Sequence, residues 1–371
     1  MRLNPRPTAI GPIPLSRPFC QAGLAGYSDR AMRQVARARG CPYAVTEALL
    51  DIILLSGGQG LRRGIDIDAL DHPVAGQLIG SDPAEMARAA QILSTAGYDV
   101  IDLNFACPVK KIQSKSRGGH LLADPDRAIA TIARVRDILP PEKPLTLSLR
   151  RSYDDTPQAA DAFDRVIDAA WAHGCAAVRV HARTVQQKYQ GRARWPFLKT
   201  LKQRYPNRTI LGSGDVFTAA DAVAMLDQTG VDIVWIARGA IGNPWIFRDA
   251  ARLLDSPGIA LDPPTIPEQR DALAEHFAIA TKIHGESLAG RRMRKIGIKY
   301  TRFHPDRAAV KAAFINVQTL RDWQAVLDRW YADDLPGVWP DPRDSDEVND
   351  RDPADADHAR ASGDTCLEIV P

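Results

Sequence analysis

A closed (β/α)8 barrel followed by a small helical domain is the fold this sequence predicts, and three observations predict it. From Pro18 onward, apolar strand-like runs alternate with segments of helical periodicity, the pattern of parallel βα units. Eight such strands fit into roughly 240 residues, which suits a closed barrel, typically ~250 residues long, better than an open doubly wound sheet. Polar and glycine-bearing stretches fall at or just beyond the C-terminal ends of the strands, where barrels of this kind carry their chemistry.

Taken in order, residues 1–17 form a lead-in without the long apolar run of a signal peptide. The barrel spans 18–260, with strands read at 18–22, 43–47, 73–79, 99–104, 145–150, 176–181, 208–212 and 232–237. Between them, apolar residues at three- and four-residue spacing place helices at Pro83–Thr95, Pro125–Ile138, Ala159–His173 and Ala219–Gln228. Pro263-Pro264 breaks the alternation, and 265–335 reads as a helical domain. Beyond Pro336 the chain is rich in Asp, Pro and Ala and poor in apolar residues, so disorder is expected to Pro371.

Charge is distributed unevenly. The formal net charge is +3, but residues 341–371 hold ten acids against three bases, leaving 45 bases against 35 acids in residues 1–340. A basic body with an acidic tail favours a polyanionic partner. No apolar run approaches the ~20 residues of a membrane span. Five cysteines without CxxC pairing argue against a disulfide framework and a zinc site, so no metal is expected. A reducing, cytoplasmic setting and a monomer follow as expectations.

The chemistry concentrates in three places. Strand 99–104 ends at Asn104, and the loop beyond carries Cys107, Pro108, Lys110, Lys111, Lys115 and Arg117: a thiol in a cationic loop. Gly212-Ser213-Gly214-Asp215 follows the seventh strand and Ala237-Arg238-Gly239 the eighth, the usual phosphate site of such barrels. His181-Ala182-Arg183-Thr184, with Tyr189, Gly191 and Trp195 beyond, ends the sixth strand and forms an anion-facing lip.

Asn104-Phe105-Ala106-Cys107-Pro108-Val109-Lys110-Lys111 resembles the N-M-G-C-P-x-K-K signature of the tRNA-dihydrouridine synthases. The likeness extends over roughly residues 17 to 333. Ala22-Gly23-Leu24-Ala25-Gly26-Tyr27-Ser28-Asp29 is similar to A-P-x-A-G-x-T-D, His181-Ala182-Arg183-Thr184 to H-G-R-T, Gly212-Ser213-Gly214-Asp215 to G-N-G-D, and Ala237–Trp245 to G-R-G-A-x-G-N-P-W. Thr46-Glu47 and Gln77-Leu78-Ile79-Gly80 resemble two further strand ends. The resemblance implies a flavoenzyme that reduces uridine in tRNA, with FMN as cofactor and NADPH as reductant. It implies Cys107 as the general acid, and FMN contacts from Gly23, Leu24, Ala25, Gln77, Ser148, His181, Ser213, Gly214, Asp215, Ala237 and Arg238. Asn104, Lys110, Lys111, Arg150, Arg183, Arg294 and Lys295 are implied as substrate or RNA contacts, the last two in a helical RNA-binding domain.

The departures are Gly23 for the family's proline, Ser213 for its asparagine and, above all, Ser148 for a lysine that contacts the flavin near N1 and O2. A neutral hydroxyl there stabilises a reduced, anionic flavin less than a cation does, unless Arg150, two residues on, takes over. Two alternatives stay open at this point: a barrel flavoprotein with altered substrate or redox tuning, and a non-catalytic RNA-binding homologue.

Overall fold

In the computed structural model, which describes residues 8–58, 65–109 and 117–340, the strands close into the expected barrel. A hairpin precedes it, β1 (Thr8–Ile10) and β2 (Ile13–Leu15). The strands then run β3 (Phe19–Gln21), β4 (Ala44–Val45), β5 (Leu49–Leu50), β6 (Val74–Ile79), β7 (Val100–Phe105), β8 (Leu145–Arg150), β9 (Ala177–His181), β10 (Ile210–Ser213) and β11 (Ile233–Ile236). Each neighbour pair is parallel, β11 pairs with β3 through Val234↔Phe19, and β4 pairs with β6 through Ala44↔Val74, which closes the ring. All residues of β6, β7 and β8 are buried, because helices cover one face and the barrel interior the other; hence their near-continuous apolar runs.

The second strand is shorter than its sequence suggests. Residues 43–47 supply only Ala44–Val45, after which Thr46 Oγ1 accepts the Gln77 amide and β5 resumes as an extra strand beside β6. Between the two, the Thr46 amide still donates to Ala75 O (3.0 Å) and the Glu47 carboxylate turns to the Gly26 amide.

Helices α1 (Arg30–Arg37) and α2 (Asp51–Ser56) precede α3 (Pro83–Thr95), α4 (Pro125–Ile138) and α5 (Pro157–Ala172). The last three start with the same device: Asp82, Asp124 or Thr156 caps the free amides and a proline follows, needing no amide partner. That cap moves the start of α5 two residues before Ala159. Helices α6 (Trp195–Arg204), α7 (Ala219–Thr229) and α8 (Ile246–Asp255) complete the outer ring.

The C-terminal region holds α9 (Ile266–His284), α10 (Glu286–Tyr300), α11 (Arg307–Ile315) and α12 (Leu320–Trp330), of which α11 was not read from the sequence. Their apolar faces make a core of their own around Trp245, Phe277, Met293, Tyr300, Phe314 and Trp323. Asp29–His284, Arg39–Glu275 and Arg248–Glu268 contacts tie it to the barrel. Residues 336–340, read from sequence as the start of the tail, pack against this region: the Val338 amide donates to Phe303 O at 2.9 Å and Trp339 meets the Phe303 ring. The rest of the expected tail lies outside the described residues.

The barrel interior is layered. At the N-terminal ends of the strands, Ile10 and Leu15 of the hairpin pack with Tyr43, Val100, Ala177 and Ile233 into an apolar floor. Above it, inward-facing polar side chains replace apolar ones.

Candidate active site

The inward-facing residues above the floor form one hydrogen-bonded chain. Arg179 Nε donates to Ser148 Oγ (3.2 Å), which donates to Asp102 Oδ2 (2.9 Å). Gln77 Nε2 donates to the same oxygen (2.8 Å), and Thr146 Oγ1 to Asp102 Oδ1 (2.6 Å). Gln77 Oε1 in turn accepts from Asn104 Nδ2 (2.8 Å). Asn104 Oδ1 then accepts both the Ala106 and the Cys107 amides at 3.0 Å, so the chain ends by fixing the backbone that carries the thiol. Burial raises the Asp102 pKa while these donors hold it down. Asp102 and Arg179 were not singled out from sequence; the signal that could have found them is a charged residue inside an otherwise apolar strand, VIDLN and AAVRV.

Cys107 sits at the rim and is partly exposed. Burial pushes its thiol pKa up, and the Val109 amide, Arg150 and Arg179 only partly offset that. The thiol therefore stays protonated at neutral pH. The loop is clamped from both sides: Cys107 O accepts the Gly119 amide (2.9 Å), and Arg150 donates from Nε to Ala106 O (2.8 Å) and from Nη1 to Thr184 O (2.8 Å) and Lys188 O (2.6 Å). Arg150 thus braces two loops together. Lys110 and Lys111 lie outside the described residues.

The turns after β9, β10 and β11 converge on a small cleft lined by His181, Ser213, Gly214, Phe217, Trp235 and Arg238. Gly214 adopts φ +131 and Asp215 φ +53; a Cβ on Gly214 would stand 2.6 Å from Ala193 Cβ, so the turn needs glycine. Asp215 is held by Arg183 Nη2 (2.7 Å), the Ala193 amide (2.7 Å) and Arg238 (3.4 Å), and Trp195 Nε1 donates to Gly214 O (2.8 Å). Arg183 is accordingly 1% exposed, a buttress of this turn, with its Nη1 buried and without a partner.

His181 Nδ1 lies 3.1 Å from Ser213 Oγ, while its Nε2 is buried without a partner. Burial, then the charges of Arg150, Arg179, Arg183 and Arg238, hold its pKa well below the usual value, so the ring is neutral. Unpaired buried donors and acceptors at a barrel mouth are unfavourable unless a ligand meets them. A group with a phosphate and a flat polar ring fits them: glycine-bearing turns and Arg238 for the first, His181 Nε2 for the second.

On the opposite side, Gly23 lies so close to β4 that a Cβ would stand 2.1 Å from Thr46 O, which accounts for glycine there. Leu24 and Ala25 continue this loop, with Leu24 N–H donating to Ser28 Oγ. The Gly26 amide donates to Glu47 Oε2 (2.7 Å), and Lys295 Nζ of α10 stands 3.8 Å above the Tyr27 ring. Arg294 is half-buried beside it. A cavity of about 780 Å3 opens next to the small cleft, sharing Asp215, Phe217 and Arg238 with it and reaching Lys299, Arg302, Arg307 and Lys311. Burial and the neighbouring Arg307 lower the Arg302 pKa to about 10. Among the described residues no group of three or more His, Cys, Asp or Glu could hold a metal, and no helix is long and apolar enough to cross a membrane.

Comparison with known proteins completes the picture. The fold resembles a 2-naphthoyl-CoA reductase complex (TM-score 0.54, 12% identity, 67% of this chain and 52% of that one). It also resembles the 6-hydroxypseudooxynicotine amine oxidase of Pseudomonas geniculata N1 (TM-score 0.53, 13% identity, 72% and 52%). This chain spans about half the length of either, and the likeness is one of fold. The sequence is 33% identical over 339 residues to the "Probable tRNA-dihydrouridine synthase" of Mycobacterium tuberculosis, covering 88% of this chain and 86% of that protein. It is 31% identical over 326 residues to tRNA-dihydrouridine synthase B of Pseudomonas aeruginosa, covering 87% and 96%. With the family model "Dihydrouridine synthase (Dus)" matching residues 20–333, across the barrel and the helices behind it, the chain belongs to the dihydrouridine synthase family.

Proposed function

We propose that this protein reduces a uridine in tRNA to 5,6-dihydrouridine. In this reading FMN, when bound and reduced by NADPH, would supply the hydride for C6 of the uracil, and the residues of this chain position the partners and hold the proton. Cys107 gives its Sγ proton to C5. Burial keeps that proton on the thiol at neutral pH, as a general acid requires, and Asn104 holds the loop from which it is delivered. This protonated, positioned thiol at the barrel rim is the observation that carries the reading.

The turns at Ser213–Asp215 and Ala237–Arg238 would hold the FMN phosphate, with His181 Nε2 and the loop at Gly23, Leu24 and Ala25 around the ring. Gln77 and Ser148 act from beneath, through Asp102. A uracil must leave its stack to reach a site at this depth. The basic cavity with Lys299, Arg302, Arg307 and Lys311, and Arg294 and Lys295 on α10, suits the phosphates of the RNA that stays outside. Mass spectrometry of nucleosides from tRNA of a deletion strain tests this. Loss of dihydrouridine at one or more positions is expected, restored by the wild-type gene; unchanged dihydrouridine with an FMN-free protein would refute it.

A further inference from the structure

We infer that Arg179 is the residue of this chain that meets the electron-rich edge of the bound flavin and sets how much more tightly the reduced cofactor is held than the oxidised one. The inference rests on the FMN reading above. It starts from an arginine with too few partners. Arg179 faces the barrel interior one strand over from Ser148, its register partner, and two residues below His181 on the same face. Its guanidinium lies 4.8 Å from the Trp235 ring centroid, and Nε donates to Ser148 Oγ. Neither Nη group donates to any described residue. A guanidinium carries five N–H donors, and this one, half-buried and facing the barrel interior, leaves its outer donors open to a ligand in the site.

The local charge supports the same conclusion. Arg150, Arg179, Arg183 and Arg238 all act on His181, against the carboxylates of Asp102 and Asp215. Asp215 is taken by Arg183 and Arg238, and Asp102 is reached by Arg179 only through the Ser148 hydroxyl. A surplus of positive charge around an imidazole whose Nε2 has no partner favours a ligand that becomes more negative, as a flavin does on two-electron reduction. Arg150, the cation nearest in sequence to Ser148, already spends Nε and Nη1 on three backbone carbonyls. Ser148 itself points its proton at Asp102. The cation absent from residue 148 is thus present at residue 179, and Trp235 holds its plane in place.

The test measures dissociation constants of oxidised and reduced FMN, with the midpoint potential, for wild type, Arg179→Met, Arg179→Lys and the Ser148→Lys/Arg179→Met double variant, each checked for folding by circular dichroism. Arg179→Met is expected to weaken reduced FMN at least tenfold more than oxidised FMN, which corresponds to a potential about 30 mV lower per tenfold. The double variant, with its cation moved back to position 148, recovers the wild-type ratio to within about threefold, on the scale of ~1.4 kcal/mol per tenfold. A well-folded Arg179→Met with the wild-type ratio would overturn the inference, since a structural arginine changes stability and not the redox preference. If Arg179→Met does not fold, Arg179→Gln takes its place with the same two outcomes: a preference for reduced FMN at least tenfold smaller is expected, and a well-folded variant with the wild-type ratio overturns the inference. Wild type that binds no FMN would instead refute the function proposed above.

Discussion

Cys107 shows how a residue's environment selects its role. A thiol beside cations ordinarily tends toward thiolate, but here burial prevails over Arg150 and Arg179 and the proton stays. Cys107→Ala is therefore expected to lower uridine reduction by roughly 10²-fold or more, the scale for loss of a general acid, with FMN affinity and melting temperature nearly unchanged. Equal turnover in single-turnover assays would show the thiol to be filler. The position of Cys107 was legible from its loop. The bracing of that loop by Asn104 and Arg150, both read from sequence as substrate or RNA contacts, was not, because a side chain's hydrogen-bond partners come from strands far apart in sequence.

Elements were legible where one local rule decides them. Asp82-Pro83 and Asp124-Pro125 mark helix starts to the residue, since cap and proline act within a single turn. The β1–β2 hairpin and α11 were missed because both are short and gain their order from packing on surfaces that exist only after folding. The helical region also carries a pH dependence. Burial in α9 lowers the His276 pKa from 6.5 to about 4. Between pH 6.5 and 4 the unfolded chain takes up a proton that the native imidazole refuses, so stability falls with acidification across that window. The loss is on the order of 3 kcal/mol for this group. His181 and His120 shift in the same direction, whereas the raised carboxyls of Glu47, Asp51, Asp102 and Asp249 act oppositely, so the quantity to read is the difference between wild type and His276→Leu. Urea unfolding at both pH values should show His276→Leu losing less stability than wild type by about that amount; an equal loss would place the ring in water.

At the scale of the whole molecule, two cores meet along α1, α9 and α10, and the basic face of α10 stands beside the barrel mouth. Binding of tRNA should weaken steeply with salt, and Arg291→Ala and Arg294→Ala should each flatten the slope of log affinity against log salt by about one unit. Unchanged slopes by filter binding would make these charges a solvated face. The basic balance of residues 1–340 announced a polyanion, but only the fold shows which cations share a surface with the site.

The β1–β2 hairpin turns the barrel from a tube into a cup. Ile10 and Leu15 seal the lower end, so whatever reacts inside arrives and departs across a single rim. Under the function proposed above, a dinucleotide donor and a folded RNA are both far too large to stand at that rim together, and one must withdraw before the other docks. Electrons cannot then pass directly between two visitors that never meet. They need a resident carrier that keeps them during the exchange, and a redox-active ring seated in the cup is such a carrier.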